Sequence, residues 1–567
     1  MMFPILQTTP APRSGIRGFY GINRKKKGSA GECVDCLNVD GDEFPCLRSV
    51  KNNKSVLTSE NTITKLLAPE EGENINLKGI VGGELVGFGE FNVLGETWDT
   101  RATDLLKCSD SVVTFPNMWV YNLASREVTK SVDGKYTQSE TEYYHVRKSE
   151  DSYLFGISKA TEVVNETVNE RISYLKVNGF VWSADEDKDG YFVIAKKKTC
   201  SVRNYNAYEV EYLCLVVYYY KKDENGVYQK SSIANLDNLA LPANQTFEGT
   251  ETKYTIKTEN EDYDAACVWQ NRVWACSADG REIRCSKLGE LNNFSDYVDG
   301  AASAWYCEVG SDGKFTGITA FNDAIFAFKE NTVHIVYGTI PQNYSLEKTF
   351  DGCGCIDGRS IAVVNNALYW LGYNGVYRYV GNSPKIISEP LGKKYKEAIS
   401  FSDNKKLYMN LTDYDGNSEL LSFDTEKGMW HKHDYQNFIG GFKFDGKLYA
   451  YTDSEVFEVS GGDFGEWSFE SVVEYNDTFD NHSATEFFIR AEMKKGSTLK
   501  VEYKGISESD WETVGSYSAD RHEMIKEKFT PRLRNDAAYQ FRISGNGEVY
   551  VYELEKTTPT GGRKHGY

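Results

Sequence analysis

One short pattern that returns at a nearly fixed interval constrains this chain more than any other feature. A polar turn is followed by an aliphatic and an aromatic residue in Asn271-Arg-Val273-Trp274, Asn322-Asp-Ala-Ile325-Phe326, Asn365-Asn-Ala-Leu368-Tyr369, Asn404-Lys-Lys-Leu407-Tyr408 and Asp445-Gly-Lys-Leu448-Tyr449. The aromatic positions stand 52, 43, 39 and 41 residues apart. A period of about 40 with several short strands per repeat is what a β-propeller blade produces, because a small sheet hides its faces only against neighbouring copies. Val81-Gly-Gly-Glu-Leu85-Val86 and Phe115-Pro-Asn-Met118-Trp119-Val120 share the format and bring the candidate blades to seven. The expected blade core is therefore Leu85, Trp119, Val273, Trp274, Ile325, Phe326, Leu368, Tyr369, Leu407, Tyr408, Leu448 and Tyr449.

Composition agrees with an all-β chain. Aromatic residues make up 14% of it, with 38 Tyr and 29 Phe, while helix-building runs of Ala and Leu are scarce. The sequence divides into an extended segment (1–60), first blades (61–125), an inserted β-rich lobe where the period is lost (126–261), the remaining blades (262–465), an antiparallel β-sandwich (466–556) and a flexible tail (557–567). The sandwich is read from period-two alternation in stretches such as Glu486-Phe-Phe-Ile-Arg-Ala-Glu492 and Glu548-Val-Tyr-Val-Tyr-Glu-Leu554.

A formal charge of -19 argues against sequence-independent binding to nucleic acid, which needs clustered Lys and Arg. The start lacks a basic n-region, and the longest apolar run, Leu213 to Tyr220, is too short to span a membrane, so a soluble protein is expected. Twelve cysteines in a chain this long are too dilute for a disulfide scaffold, and a reducing place of synthesis follows.

Several motifs invite chemistry, and each has a plainer structural reading. Asp185-Glu-Asp187-Lys-Asp189-Gly190 begins like a calcium loop, but Lys196 stands where the bidentate Glu belongs, so an acidic hairpin turn is expected. Cys33-x-x-Cys36 with Cys46, and Cys353-x-Cys355, lack the second tight pair of a zinc knuckle; the latter marks a tight strand connection. His431-Lys-His433 shares one strand face without a third ligand nearby and reads as a blade-edge pair. The basic run Arg24-Lys25-Lys26-Lys27 reads as a solvated loop. Ser507-Glu-Ser-Asp510-Trp511 is close to the aspartate-box turn of sialidases but lacks its glycine. No nucleophile elbow is present, and no cofactor or metal is expected.

The ordered motifs resemble the β-propeller neck and tail proteins of tailed bacteriophages, the head-tail stabilisation or tail-nozzle family. The resemblance rests on Cys36-Leu-Asn38-Val-Asp with Leu47-Arg48, and on Arg272-Val-Trp274-Ala-Cys-Ser-Ala-Asp-Gly280 with Cys285-Ser-Lys-Leu-Gly289. It continues in Gly317-Ile-Thr-Ala-Phe, Ala327-Phe328-Lys329, His334-Ile-Val-Tyr-Gly338, Leu368-Tyr-Trp-Leu-Gly-Tyr-Asn-Gly375, Leu499-Lys-Val-Glu-Tyr503 and Phe541-Arg-Ile-Ser-Gly-Asn-Gly547. It implies a structural virion protein of the tail or neck, not an enzyme, assembled in the host cytoplasm as a homo-oligomeric, hexameric ring. Its implied partners are portal or adaptor rings, tail fibres or other tail proteins, and genomic DNA passing through the lumen, with no membrane. A receptor- or carbohydrate-binding tail protein is the rival reading, and a propeller glycosidase a further one. The cysteines at 33, 36 and 46 and the insert depart from the family.

Overall fold

A computed structural model describes residues 13–25, 28–69, 103–122, 263–294, 300–475, 486–530 and 538–557, with Asp536 and, between 78 and 256, strands and a few turn residues. The chain is all-β, and its sheets are antiparallel. Helix among the described residues is limited to single 3-10 turns at Gly300–Ala302, Gly358–Ser360 and Glu389–Leu391. Contacts divide the chain into two compact units, Met1–Ser131 with Asn260–Tyr567, and Val132–Glu259.

In the larger unit, seven small sheets follow one another along the chain. The first has strands Ile63–Leu67, Lys78–Val81 and Glu84–Gly87; the second Asp104–Cys108, Ser111–Phe115, Val120–Asn122 and Val128–Thr129. The third is Tyr263–Trp269, Arg272–Ser277, Glu282–Cys285 and Trp305–Glu308; the fourth Phe315–Phe321, Ala324–Lys329, Thr332–Tyr337 and Ser345–Asp351. Ala362–Val364, Ala367–Gly372, Gly375–Tyr379 and Lys385–Ile386 form the fifth, and Tyr395–Ser402, Lys406–Asp413, Ser418–Asp424 and Met429–His433 the sixth. The seventh takes Gly440–Phe444, Lys447–Tyr451 and Glu455–Glu458 from this region and its fourth strand, Lys54–Thr58, from the N-terminal segment.

The repeating motif is a hairpin and two half-interfaces. Its polar residues occupy the tight turn between first and second strands with positive φ: Gln270 and Asn271, Asn322 and Asp323, Asn365 and Asn366, Asn404, and Asp445 with Gly446. A two-residue hairpin whose twist matches its strands needs φ > 0 at both central positions, which Asn, Asp and Gly tolerate best. In the second strand that follows, adjacent side chains point to opposite faces. The aliphatic member of each pair packs against the preceding sheet and the aromatic member against the next. Thus Val273 joins Val113 and Met118, while Trp274 joins Ile318 and Ile325. Phe326 packs with Leu368 and Trp370, and Tyr369 with Ala398 and Leu407. Tyr408 meets Phe438 and Leu448. Tyr449 then meets Ile63, Leu66 and Val81 of the first sheet, so the series of contacts returns to where it began.

All ten motif residues from Val273 to Tyr449 are buried. The two earlier motifs mark the next turn along. Residues 82–83 and 116–119 connect second to third strands, and Trp119 is half-buried against the cluster between first and second sheets. Leu85 lies on a described strand, but its side chain falls outside the described residues. The equivalent buried pairs are Ile80–Val81 and Val112–Val113, which serve two interfaces each without an aromatic residue.

Residues 466–557 supply eight of the twelve strands in two six-stranded sheets, packed face to face around Phe487, Ile489, Val501, Tyr503, Phe541, Ile543 and Val551. The extended N-terminal segment runs through both. Arg13–Ile16, Val39–Asp40 and Leu47–Ser49 belong to one sheet and Cys33–Leu37 to the other. This core is continuous with that between the fifth and sixth sheets through Tyr369, Leu421 and Trp430. The tail from 558, the segment 158–189 with the acidic motif up to Asp189, and Lys26-Lys27 lie outside the described residues.

The smaller unit, by itself, contains a five-stranded sheet dominated by Gly190–Arg203 and Glu209–Lys222, which pair along their length with a bulge between Ile194 and Lys196. Two strand pairs join its chain ends: Gly134–Tyr136 with Tyr254–Ile256, and Thr141–Tyr143 with Thr246–Glu248.

Replacing Trp274, fully buried between third and fourth sheets, by Ala is expected to cost roughly 3–5 kcal/mol. Tyr373→Ala, at an exposed turn, is expected to change stability by less than about 0.5 kcal/mol. The shift in the denaturant midpoint of the full chain checks both.

Candidate functional site

A group of charged side chains lies in the seam where residues 19–46 dock on the outer strand of the sixth sheet, Met429–His433. Main-chain bonds set the alignment: Ile22 N–H to Trp430 O at 2.8 Å and Asn38 N–H to Lys432 O at 2.9 Å. Gly21 is needed there, because a Cβ would stand 2.6 Å from the Trp430 carbonyl oxygen. Asn38, at positive φ, donates its amide to Asp434 at 2.8 Å and accepts the Asp434 N–H at 3.0 Å.

Two buried ionic nodes clamp the segment. In one, the Arg24 guanidinium donates to both Glu419 oxygens at 2.9 and 2.8 Å, and the Tyr395 hydroxyl donates to Glu419 at 2.6 Å. Burial disfavours the Arg24 charge, but Glu419 outweighs it and raises its pKa; burial likewise opposes the Glu419 charge, but Arg24 holds that carboxyl below its ordinary range. In the other, Lys406 Nζ stands 3.1 Å from Asp40 and 2.8 Å from Asp42. Lys427 Nζ caps the same loop by donating to Gly41 O at 2.7 Å. A buried pair of this kind loses much of its Coulomb gain to desolvation, yet removing one partner strands the other.

His431 and His433 line this second node. Both are buried, and His433 Nε2 is 2.8 Å from Ser422 Oγ. Burial, reinforced by the nearby Lys406 charge, depresses their pKa values to about 4 and about 3. Neutral imidazoles bordering a lysine suit a packed edge.

Two other cations hold connections. Arg272 donates to Ser286 O, Ser303 O and Ala301 O at 2.6–2.7 Å, fixing the long link within the third sheet. Lys329 Nζ, almost wholly buried, donates to Gly280 O at 2.7 Å and Ser311 O at 2.5 Å across the third and fourth sheets. Cys353-Gly-Cys355 is a tight connection: a Cβ on Gly354 would stand 2.2 Å from Lys329 O. Near the sandwich edge, Ser507 donates its N–H and hydroxyl to Asp536, and the Lys504 and Arg542 charges lie 4.6 and 4.2 Å from the centre of the Trp511 ring. Among the described residues no group of three or more His, Cys, Asp or Glu is placed to hold a metal ion.

A different kind of surface occurs where second strands turn into third strands and where one sheet hands over to the next. In an antiparallel meander these connections share an end. Tyr373 and Tyr414 sit in such turns of the fifth and sixth sheets and Tyr435 in the link to the seventh; they are 57%, 54% and 45% exposed. Lys394 Nζ lies 4.8 Å over the Tyr373 ring. Two ion pairs flank such connections, Lys65 with Asp104 at 2.9 Å and Arg359 with Asp357 at 2.7 Å.

No family profile matches the chain, and no curated protein matches it. Among solved structures, it is similar to the exo-β-1,3-galactanase of Phanerochaete chrysosporium with galactose bound, at 9% identity and a TM-score of 0.22, over 52% of this chain and 97% of that one. It is also similar to KlHsv2 with loop 6CD replaced by a Gly-Ser linker, at 6% identity and a TM-score of 0.23, over 66% and 98%. The first match overturns the expectation that the chain is not an enzyme, since a glycoside hydrolase stands among the structures it resembles. Likeness at these scores carries no argument about activity, substrate or site.

The sequence singled out His431 and His433 but not the charges around them. Asp40, Asp42 and Lys406, like Arg24 and Glu419, lie hundreds of residues apart in the chain, so no local spacing announces them. Lys406→Met is expected to destabilise the full chain by roughly 3–5 kcal/mol, because Asp40 stays buried without its partner. Acid should act on the same node. The unfolded chain takes up protons at both histidines near pH 6.5, before the folded one does. Stability is therefore expected to fall as pH drops from about 6.5 towards 4, by roughly 3 kcal/mol at His431. His431→Asn should flatten that part of a stability-against-pH curve.

Proposed function

We propose that the seven sheets are the blades of a closed β-propeller, and that the chain is a structural protein of a tailed-bacteriophage virion. The closed ring is supported by the contact of Tyr449 with the first sheet and by Lys54–Thr58 completing the seventh. The observation that carries the virion reading is the order of parts in the larger unit, a run of seven sheets followed by a terminal sandwich. This is the order expected from the resemblance to neck and nozzle proteins, from which the inserted unit departs.

In this reading about six copies close into a ring below the portal, side by side, as discs do under cyclic symmetry. The ring stabilises the filled head and forms part of the conduit for ejection. Its partners are the portal or adaptor ring and tail fibres or other tail proteins, and its place is the virion, after assembly in the host cytoplasm. A formal charge of -19 suits a wall past which DNA moves without sticking.

The expected result of light scattering on the purified full chain, followed by electron microscopy, is a ring of about six subunits with an open centre. A chain that stays monomeric both alone and with portal-bearing heads would sink the proposal. The exposed Tyr373, Tyr414 and Tyr435 favour one second reading, a tail protein that binds carbohydrate on its loops. Glycan binding lost on replacing these three tyrosines by Ala, without ring formation, would favour it.

A further inference from the structure

Lys556, on the last described strand, Val549–Thr557, is buried in the interior of the sandwich. Its Nζ lies 5.3 Å from the centre of the Tyr539 ring and 5.6 Å from that of the Phe541 ring, both on Ala538–Asn546 of the opposite sheet. In that opposite sheet the short strand Glu474–Tyr475 pairs with the start of Ala538–Asn546 and sets Glu474 against Tyr539. Glu474 Oε2 stands 3.9 Å from Lys556 Nζ. A lysine from one sheet and a carboxyl from the other therefore meet among aromatic side chains, and the Glu474 side chain is only 11% exposed.

As an ion pair the two are poorly matched. At 3.9 Å the ammonium is beyond hydrogen-bond reach of that oxygen, whereas Lys406 meets its two carboxylates at 3.1 and 2.8 Å. The other Glu474 oxygen, Oε1, is buried and has no hydrogen-bond partner among the described residues. Ions buried with such geometry recover little of their desolvation. Burial raises the Glu474 pKa, and the Lys556 charge opposes it only in part. Passing one proton from ammonium to carboxylate removes both charges from the apolar site and leaves a neutral amine beside a neutral carboxylic acid. A desolvated amine is a nucleophile, and here it is held against a carboxyl group by two packed sheets.

We propose that Lys556 and Glu474 close to an intramolecular isopeptide bond that joins the two sheets of the sandwich. After giving one proton to the carboxylate, Lys556 Nζ attacks Glu474 Cδ. The tetrahedral intermediate passes a second proton from nitrogen to the hydroxyl, which leaves as water. One C–N bond forms, one C–O bond breaks, and no oxidant, reductant or cofactor takes part. A neutral amide then replaces two buried charges. The bond ties Glu474–Tyr475 to the strand that also pairs with Arg13–Ile16, Leu47–Ser49 and Glu486–Met493. The two sheets can then no longer separate completely at that end, even in denaturant.

The test measures the intact mass of the purified full-length chain after days in the folded state at neutral pH, then maps its proteolytic peptides by mass spectrometry. The expected result is a chain lighter than its sequence by one water, with a branched peptide that joins the residues around Glu474 to those around Lys556. Lys556→Arg and Glu474→Ala should each keep the full mass, as should the wild-type chain held in denaturant from the start. The wild-type mass decides the matter even where a variant folds poorly. The proposal is overturned if the folded chain keeps its full mass with Lys556 in a linear peptide, or if the missing water maps to an Asp-Gly succinimide.

Discussion

The antiparallel pairing of Lys54–Thr58 with Glu455–Glu458 is the contact on which the larger unit depends. A series of small sheets, each covered by its neighbours, leaves two uncovered faces at its ends, and those faces are apolar here: Ile63, Leu66 and Val81 at the start, Phe442, Tyr449 and Tyr451 at the finish. Burying one against the other removes both from water, and the N-terminal strand sets where that burial occurs. Its flanks hold it in place. Asn52 N–H donates to Asp463 O and Gly462 N–H to Asn52 O on one side, and Ile63 N–H donates to Asp453 O on the other. Strand side chains contribute little, since Val56 is 44% exposed and only Leu57 packs inward. The junction thus rests on backbone hydrogen bonds and on the faces they align.

The same logic explains which parts of the fold could be read from residues. Five sheets announced themselves because hairpin chemistry and interface packing coincide in four or five consecutive positions: a turn that needs positive φ, then one side chain for each neighbour. The first two sheets obey the same packing rule with Ile80–Val81 and Val112–Val113, and the turn before the latter pair uses Ser109 at positive φ. Without an aromatic residue or an Asn, nothing sets those pairs apart, and the recognisable pattern falls on Leu85 and Trp119 one turn later. The N-terminal strands were harder still. They are two to five residues long, and apart from Val39–Asp40, which pairs with Leu47–Ser49, their partners lie about four to five hundred residues away in the chain.

The charged seam shows a different limit. Asp40, Asp42 and Lys406, and Arg24 and Glu419, look like ordinary surface residues in sequence, and only tertiary structure makes them neighbours. Burying such groups is a poor way to gain stability, because desolvation offsets most of the attraction. Their stronger effect is on register. If Val39–Asp40 slid by one residue, Asp40 would leave Lys406 and turn to the other face, and Asn38 would lose Asp434. The segment threads two bodies with few large apolar side chains, so hydrophobic packing alone would specify its alignment weakly. Ionic nodes at Arg24 and Asp40 fix it at two points.

This threading also constrains how the chain reaches its fold. Arg13–Ile16 pairs with the last described strand, Val549–Thr557, and Cys33–Leu37 with Glu466–Ser471. Neither sandwich sheet is complete until both ends of the chain are present, and neither is the seventh small sheet. Contacts of such long sequence separation are slow to form, since the loop they close must be ordered first. The middle sheets, whose neighbours are adjacent in sequence, carry no such delay. The most local and most regular part of the molecule therefore supplies the template, and the N-terminal segment completes it by binding an edge already formed.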